Sequence, residues 1–111
     1  MQQKPAPQDA PPIVGVIDPD PVARNGLSTL LRGLGIDVST FDSAETFLLA
    51  TNGRAVACLI VDLLLPGMSG LELLRRLRSA GNDVPVILLA DESDVPTAVA
   101  AMREGATDFI E

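Results

Sequence analysis

Two acidic positions in this chain each follow an apolar run that reads as a strand. Ile13 to Ile17 leads into Asp18-Pro19-Asp20, and Val56 to Val61 delivers the single carboxylate Asp62. A strand apolar on both faces belongs inside a parallel sheet. Its carboxyl end opens on the crevice where ligands bind in open α/β sheets. Carboxylates gathered there repel one another and favour a divalent cation. Mg2+ takes one or two of them, keeps several waters, and leaves room for phosphate oxygens. With the charge offset, one carboxylate can attack phosphorus and form an acyl phosphate. Plainer roles compete. Asp62 can serve as a polar strand cap. Asp18 and Asp20 can cap the following helix, and Pro21 at its first position strengthens that reading for Asp20.

Composition narrows the chemistry. The chain has 111 residues, enough for one domain, and is 47% apolar but only 3% aromatic, so its core is aliphatic. Its formal charge of −7 argues against direct nucleic-acid or membrane-surface binding, which both draw on Lys and Arg. There is no His, and the only Lys is Lys4 near the amino terminus, so neither His catalysis nor a catalytic Lys is available. Cys58 is the only cysteine, which excludes an intrachain disulfide; mid-strand, it reads as a small buried hydrophobe. No apolar run reaches the roughly 18 residues of a membrane helix. Residues 1–12 lack a secretory-signal pattern, and a cytoplasmic location is expected.

The elements that must position the acids follow in order. Residues 1–12 are rich in Gln, Pro and Ala and are expected to form a disordered tail ahead of one domain spanning 13–111. After the first strand, Val22, Leu27, Leu30, Leu31 and Leu34 give a helical stripe closed by Gly33 and Gly35. Asp37 to Phe41 is a second strand. Asp42 and Glu45 read as a capping box for a short helix through Ala50, and Asn52-Gly53 turns into the central strand. A third helix runs from about Gly70 to Ala80, with Leu71, Leu74 and Leu77 (and Leu73) toward the sheet. Arg75, Arg76 and Arg78 near its end read as a solvated face rather than a phosphate patch. Val86 to Leu89 is a fourth strand, residues 90–94 an acidic loop, and a fourth helix runs from Val95 or Pro96 through Arg103. Thr107 to Glu111 opens a fifth strand. Alternating strands and helices predict a doubly wound parallel α/β sheet. A fifth helix is expected in such a fold and does not occur in these 111 residues. Part of one sheet face is then expected to be uncovered, unless the tail or another chain covers it, with lowered stability or self-association as a consequence.

The sequence resembles the receiver domain of two-component response regulators, most closely the FixJ-like group. The resemblance rests on Val16-Ile17-Asp18-Pro19-Asp20-Pro21, on Val61-Asp62 followed by Leu65-Pro66-Gly67-Met68-Ser69-Gly70, and on Asp94 through Phe109. It covers residues 13–111 and implies a flavodoxin-like five-stranded sheet of order 2-1-3-4-5, lacking the final helix. It implies Asp62 as the phospho-accepting aspartate and a Mg2+ site built on Asp18 and Asp62; Asp20 is a further candidate ligand in place of residue 19. It places Phe109 as the switch aromatic of a face made by the fourth helix and fifth strand. The implied partners are a sensor histidine kinase or another signalling protein, with a homodimer through the uncovered sheet face or the fourth helix as an alternative. No enzyme activity of its own is implied.

Three departures weaken the resemblance at the site. Pro19 replaces a second metal-binding acid, Ala90 lacks the Ser or Thr hydroxyl that bonds the phosphoryl group, and the family's Lys falls beyond Glu111. A degenerate receiver, working as a phosphorylation-independent interaction module, is therefore the alternative function. A more distant one is a haloacid-dehalogenase-type phosphatase, because Asp18-Pro19-Asp20-Pro21-Val22 fits its Asp-x-Asp motif with Asp18 as nucleophile and Asp20 as general acid. The remaining motifs of that enzyme class are missing or wrongly spaced.

Overall fold

A computed structural model describes residues 12–50, 56–91 and 94–110. The tail over 1–11, the Asn52-Gly53 turn and Glu111 lie outside them. The elements are β1 (Ile13–Ile17), α1 (Pro21–Gly33), β2 (Asp37–Phe41), α2 (Ala44–Ala50), β3 (Cys58–Asp62), α3 (Gly70–Ser79), β4 (Val86–Leu89), α4 (Val95–Arg103) and β5 (Asp108–Ile110). They build one sheet of order β2-β1-β3-β4-β5, and all its pairings are parallel. The central strand begins two residues later than the apolar run and includes Asp62 as its last residue.

Pairing in register puts partners on one face, and the pleat alternates faces along each strand. Leu59 pairs with Val86, and Val61 with Leu88, which in turn pairs with Phe109. This face carries the main core, where Ile17, Leu59, Val61, Val86 and Leu88 meet Phe47 of α2, Leu73, Leu74 and Leu77 of α3, and Ala98 and Ala101 of α4. Phe41 and Phe47 add an edge-to-face pair with centroids 5.3 Å apart.

The other face is covered unevenly. Val16 and Val38 are buried near α1, which packs on β1 and β2. Farther along, Ile60, Ile87 and Leu89 are half-buried and Ile110 is 53% exposed. Cys58 shares this face and is likewise only half-buried, so it is not the fully buried hydrophobe expected; partial burial still pushes its thiol pKa up. The α1 stripe is corrected in the same way. Leu27 and Leu31 are half-buried, but Val22, Leu30 and Leu34 are 79%, 62% and 70% exposed. A helix about 10 Å wide spans only about two strands spaced about 4.8 Å apart. The flank of α1 that faces β3 therefore has no helix beside it among the described residues.

Ser28 occupies the buried face of α1, and its hydroxyl oxygen has no hydrogen-bond partner among the described residues. An unsatisfied buried hydroxyl costs about 1–3 kcal/mol. Ser28→Ala is therefore expected to stabilise the domain by about 1 kcal/mol in urea unfolding. A loss of stability would show that the hydroxyl has a partner in solution.

The helix ends largely follow local chemistry. Asp20 caps α1 by accepting from the Val22 N–H at 3.0 Å, and Ser69 caps α3 through the Glu72 N–H at 3.1 Å. The expected Asp42–Glu45 box does not form. Ser43 accepts from the Thr46 N–H at 3.0 Å instead, Asp42 accepts from the Thr46 hydroxyl, and Glu45 points elsewhere. In α3, Leu73, Leu74 and Leu77 are buried and Leu71 is half-buried. Two of the three arginines are engaged: Arg75 pairs with Glu104 at 2.8 Å, and Arg78 donates to the carbonyls of Gly105 and Asn82. They tie α3 to the end of α4.

Candidate functional site

The adjacency of β1 and β3 is what brings the sequence-predicted acids together. Both strands end at the carboxyl edge of the sheet, and Ile17 pairs with Val61, so Asp18 and Asp62 follow at neighbouring strand ends. Asp18 is only 5% exposed. Its Oδ1 accepts the Asp20 N–H at 2.9 Å, its N–H donates to Phe41 O, and its carbonyl accepts from Arg24 at 2.7 Å. These bonds hold the β1–α1 turn around it. Asp20 turns away into its cap, and Pro19 brings no ligating atom.

Asp62 is half-buried and its Oδ1 accepts the Leu64 N–H at 3.0 Å. Burial raises its carboxyl pKa above the ordinary value, and the charges of Asp18, Asp94 and Asp91 push the same way, against the Leu64 hydrogen bond. Gly70 lies behind it. A Cβ there would stand 2.8 Å from the Asp62 carbonyl oxygen and 3.1 Å from Leu63 Cα, both backbone atoms. Only glycine lets the start of α3 come this close to the strand end.

A cleft of about 310 Å³ opens at this edge, lined by Asp62, Leu64, Leu89, Ala90, Asp91, Asp94 and Ile110. Asp91 and Asp94 were legible only as an acidic loop; the structure makes them walls of the same cleft as Asp62. The signal was present, since Asp91 ends the apolar run Val86–Ala90 as Asp62 ends the run Val56–Val61. The Asp94 carboxyl pKa is raised by partial burial and by a shared hydrogen bond with Asp91. Ala90 brings a methyl group, and its N–H donates to Ile110 O at 2.9 Å. Phe109 is half-buried against the core on the opposite sheet face from Ile110.

The described residues hold no cluster of three or more acidic or cysteine side chains placed to bind a metal. Asp18 and Asp62 are the pair that remains. Each has one oxygen taken by a backbone N–H, which leaves each a second oxygen. That meets the minimum Mg2+ needs from a protein.

An open parallel sheet with strand order 2-1-3-4-5 and acids at its carboxyl edge defines a doubly wound, flavodoxin-like α/β domain. The chain belongs to the response regulator receiver domain family of two-component signalling, whose family model matches residues 14–111. It is 39% identical over 101 residues to the response regulator protein TodT of Pseudomonas putida, covering 91% of this chain and 44% of TodT. It is 41% identical over 96 residues to the transcriptional regulatory protein FixJ of Bradyrhizobium diazoefficiens, covering 86% of this chain and 47% of FixJ. The chain thus spans less than half the length of these curated relatives. Full-length FixJ from B. japonicum superposes with a TM-score of 0.85 at 39% identity, over 90% of this chain and 49% of that one. A response regulator receiver protein from Pseudoalteromonas atlantica gives 0.81 at 40% identity, over 90% and 84%. The phosphatase reading finds no support at the site, where Asp18 is buried and the carboxylate of Asp20 holds the helix cap. No helix among the described residues is long and apolar enough to cross a membrane.

Proposed function

We propose that this domain accepts a phosphoryl group on Asp62 and signals the change to a partner through α4 and β5. The observation that carries the reading is the placement of Asp62, a half-buried acid ending the central strand, open to a cleft and beside the buried Asp18. An Asp62 oxygen forms the new bond to phosphorus while the donor's own bond to phosphorus breaks, and the leaving group departs with that electron pair. The donor is a sensor histidine kinase or another phosphorylated signalling protein. The domain is a signalling module rather than an enzyme acting on a separate substrate. When bound, Mg2+ offsets the negative charge of carboxylate and phosphate. Asp18 and Asp62 would hold it, and weakly, because Pro19 offers no ligand and Asp20 is committed to its cap.

Ala90 favours a second reading. With no hydroxyl at position 90 to bond the phosphoryl group, the link to Phe109 is weakened, and a phosphorylation-independent interaction module becomes the competing function. Intact mass after incubation with acetyl phosphate and Mg2+ decides between them. A covalently added phosphoryl group supports acceptance. None, under conditions that label an ordinary receiver, leaves the interaction module.

The same assay reads a substitution. A neutral hydrogen bond contributes about 1 kcal/mol net. Ala90→Thr is therefore expected to raise the labelled fraction about fivefold at sub-saturating donor. An unchanged fraction would mean that residue 90 does not reach the phosphoryl oxygens.

A further inference from the structure

Glu45 stands on α2, yet its carboxylate reaches the loop that follows Asp62. Its Oε2 accepts the backbone N–H of Met68 at 3.1 Å. One residue earlier, Gly67 adopts a φ of +73°, and a Cβ there would lie 2.5 Å from the same oxygen. The backbone conformation requires glycine here, and a side chain would also push the end of the Glu45 side chain aside. Met68 is buried against the core, so this contact fixes the inner part of the loop. The loop is also pinned near Asp62, where the Leu64 N–H donates to Asp62 Oδ1 and the Gly70 N–H donates to Leu63 O at 3.2 Å. The Met68 hydrogen bond holds the Glu45 carboxyl below its ordinary pKa, with the residue's own backbone N–H and, more weakly, Arg76 acting in the same direction.

We propose that Glu45 is a positioning residue for phosphoryl transfer, holding Met68 and so fixing the 63–69 loop whose Leu64 N–H orients the Asp62 carboxylate. This rests on the reading of Asp62 as the acceptor. The capping box predicted from sequence spends Glu45 on its own helix. The structure instead spends it on a contact 23 residues away, and leaves Ser43 to cap α2. A small shift of the loop displaces the reacting oxygen, and misplacements on the order of 1 Å are enough to slow chemistry substantially.

Three variants separate reach from charge. Glu45→Ala removes the acceptor. Glu45→Asp keeps the charge but shortens the side chain. Glu45→Gln loses the charge but keeps a carbonyl oxygen that can accept the Met68 N–H. Amide hydrogen exchange at Met68 is measured in the whole chain by NMR, beside the rate of labelling by acetyl phosphate with Mg2+. The Ala and Asp variants are expected to speed Met68 exchange about tenfold or more. They are expected to slow labelling about fivefold, with Gln within about twofold of the wild type in both. Unchanged exchange in Glu45→Ala overturns the contact as a restraint. Faster exchange with unchanged labelling overturns its role in transfer, and so does a Gln variant that behaves like Ala. If the wild type itself takes no label, the acceptor reading fails and the positioning role fails with it. Labelled wild type with unaffected variants fails the positioning role alone.

Discussion

Asp62→Asn is expected to lose all phosphoryl incorporation and at the same time to unfold at higher denaturant than the wild type at neutral pH without divalent cation. Both effects follow from replacing one carboxylate: the attacking oxygen is lost and a costly charge is removed. Burial and the charges of Asp18, Asp94 and Asp91 raise the Asp62 pKa in the folded state, so holding it ionised costs stability. Asparagine removes the charge and the proposed nucleophile but keeps an oxygen for the Leu64 N–H. Because the side chain is only half-buried, solvent screening limits the gain to about 0.5–1 kcal/mol. The pH dependence has a defined sign. The folded pKa lies above the unfolded one, so wild-type stability from this group rises as pH falls through the folded value and is level below the unfolded value. The advantage of the Asn variant is full above the folded pKa and vanishes below the unfolded one. A variant less stable than the wild type at neutral pH would make Asp62 a structural strand cap. Functional sites commonly hold such unfavourable charge, and relieving it stabilises while abolishing activity.

Leu88→Ala is expected to cost about 3–4 kcal/mol, and Ile87→Ala about 1–2 kcal/mol, although the two are neighbours on one strand. Leu88 is fully buried between β3, β5 and the α3–α4 side, and its removal leaves a cavity among Val61, Phe109 and their neighbours. Ile87 faces the other way, beside Ile60 and Asp108, and is half-buried already, so truncation removes less apolar area from a site that solvent can fill. Against a typical domain stability of about 5–15 kcal/mol, the Leu88 loss leaves little margin. Urea unfolding of the two variants checks the difference. Equal costs would mean that both sheet faces are equally covered in solution.

That asymmetry marks where sequence reading stops. The strands, helices and their order were legible because their signals are local: apolar runs, a helical stripe, glycine and proline at the breaks. The alternation of strand and helix gives a parallel sheet, and the order 2-1-3-4-5 that the family resemblance implies brings the ends of β1 and β3 together, so Asp18 and Asp62 could be named before the structure. The cap at Asp20 was legible for the same reason, since its partner Val22 is two residues away.

What the sequence left open depends on contacts between distant segments. The α1 stripe reads as uniformly apolar, but only packing decides that Leu27 and Leu31 are partly covered while Val22, Leu30 and Leu34 are not. Arg75 and Arg76 stay exposed as the sequence suggests, but only packing sets Arg75 against Glu104 and Arg78 against the Gly105 carbonyl at the end of α4. Asp91 and Asp94 join the cleft only once β4 lies next to β3. Glu45 carried a sound local signal for a capping box and was drawn away by a loop 23 residues on. Periodicity and turn chemistry are fixed by neighbours in the chain, so the sequence by itself determined the elements and the two central acids. Burial of a face and the choice of a side chain's partner are set when whole units pack, so only the tertiary structure decided which groups surround Asp62 and hold it in place.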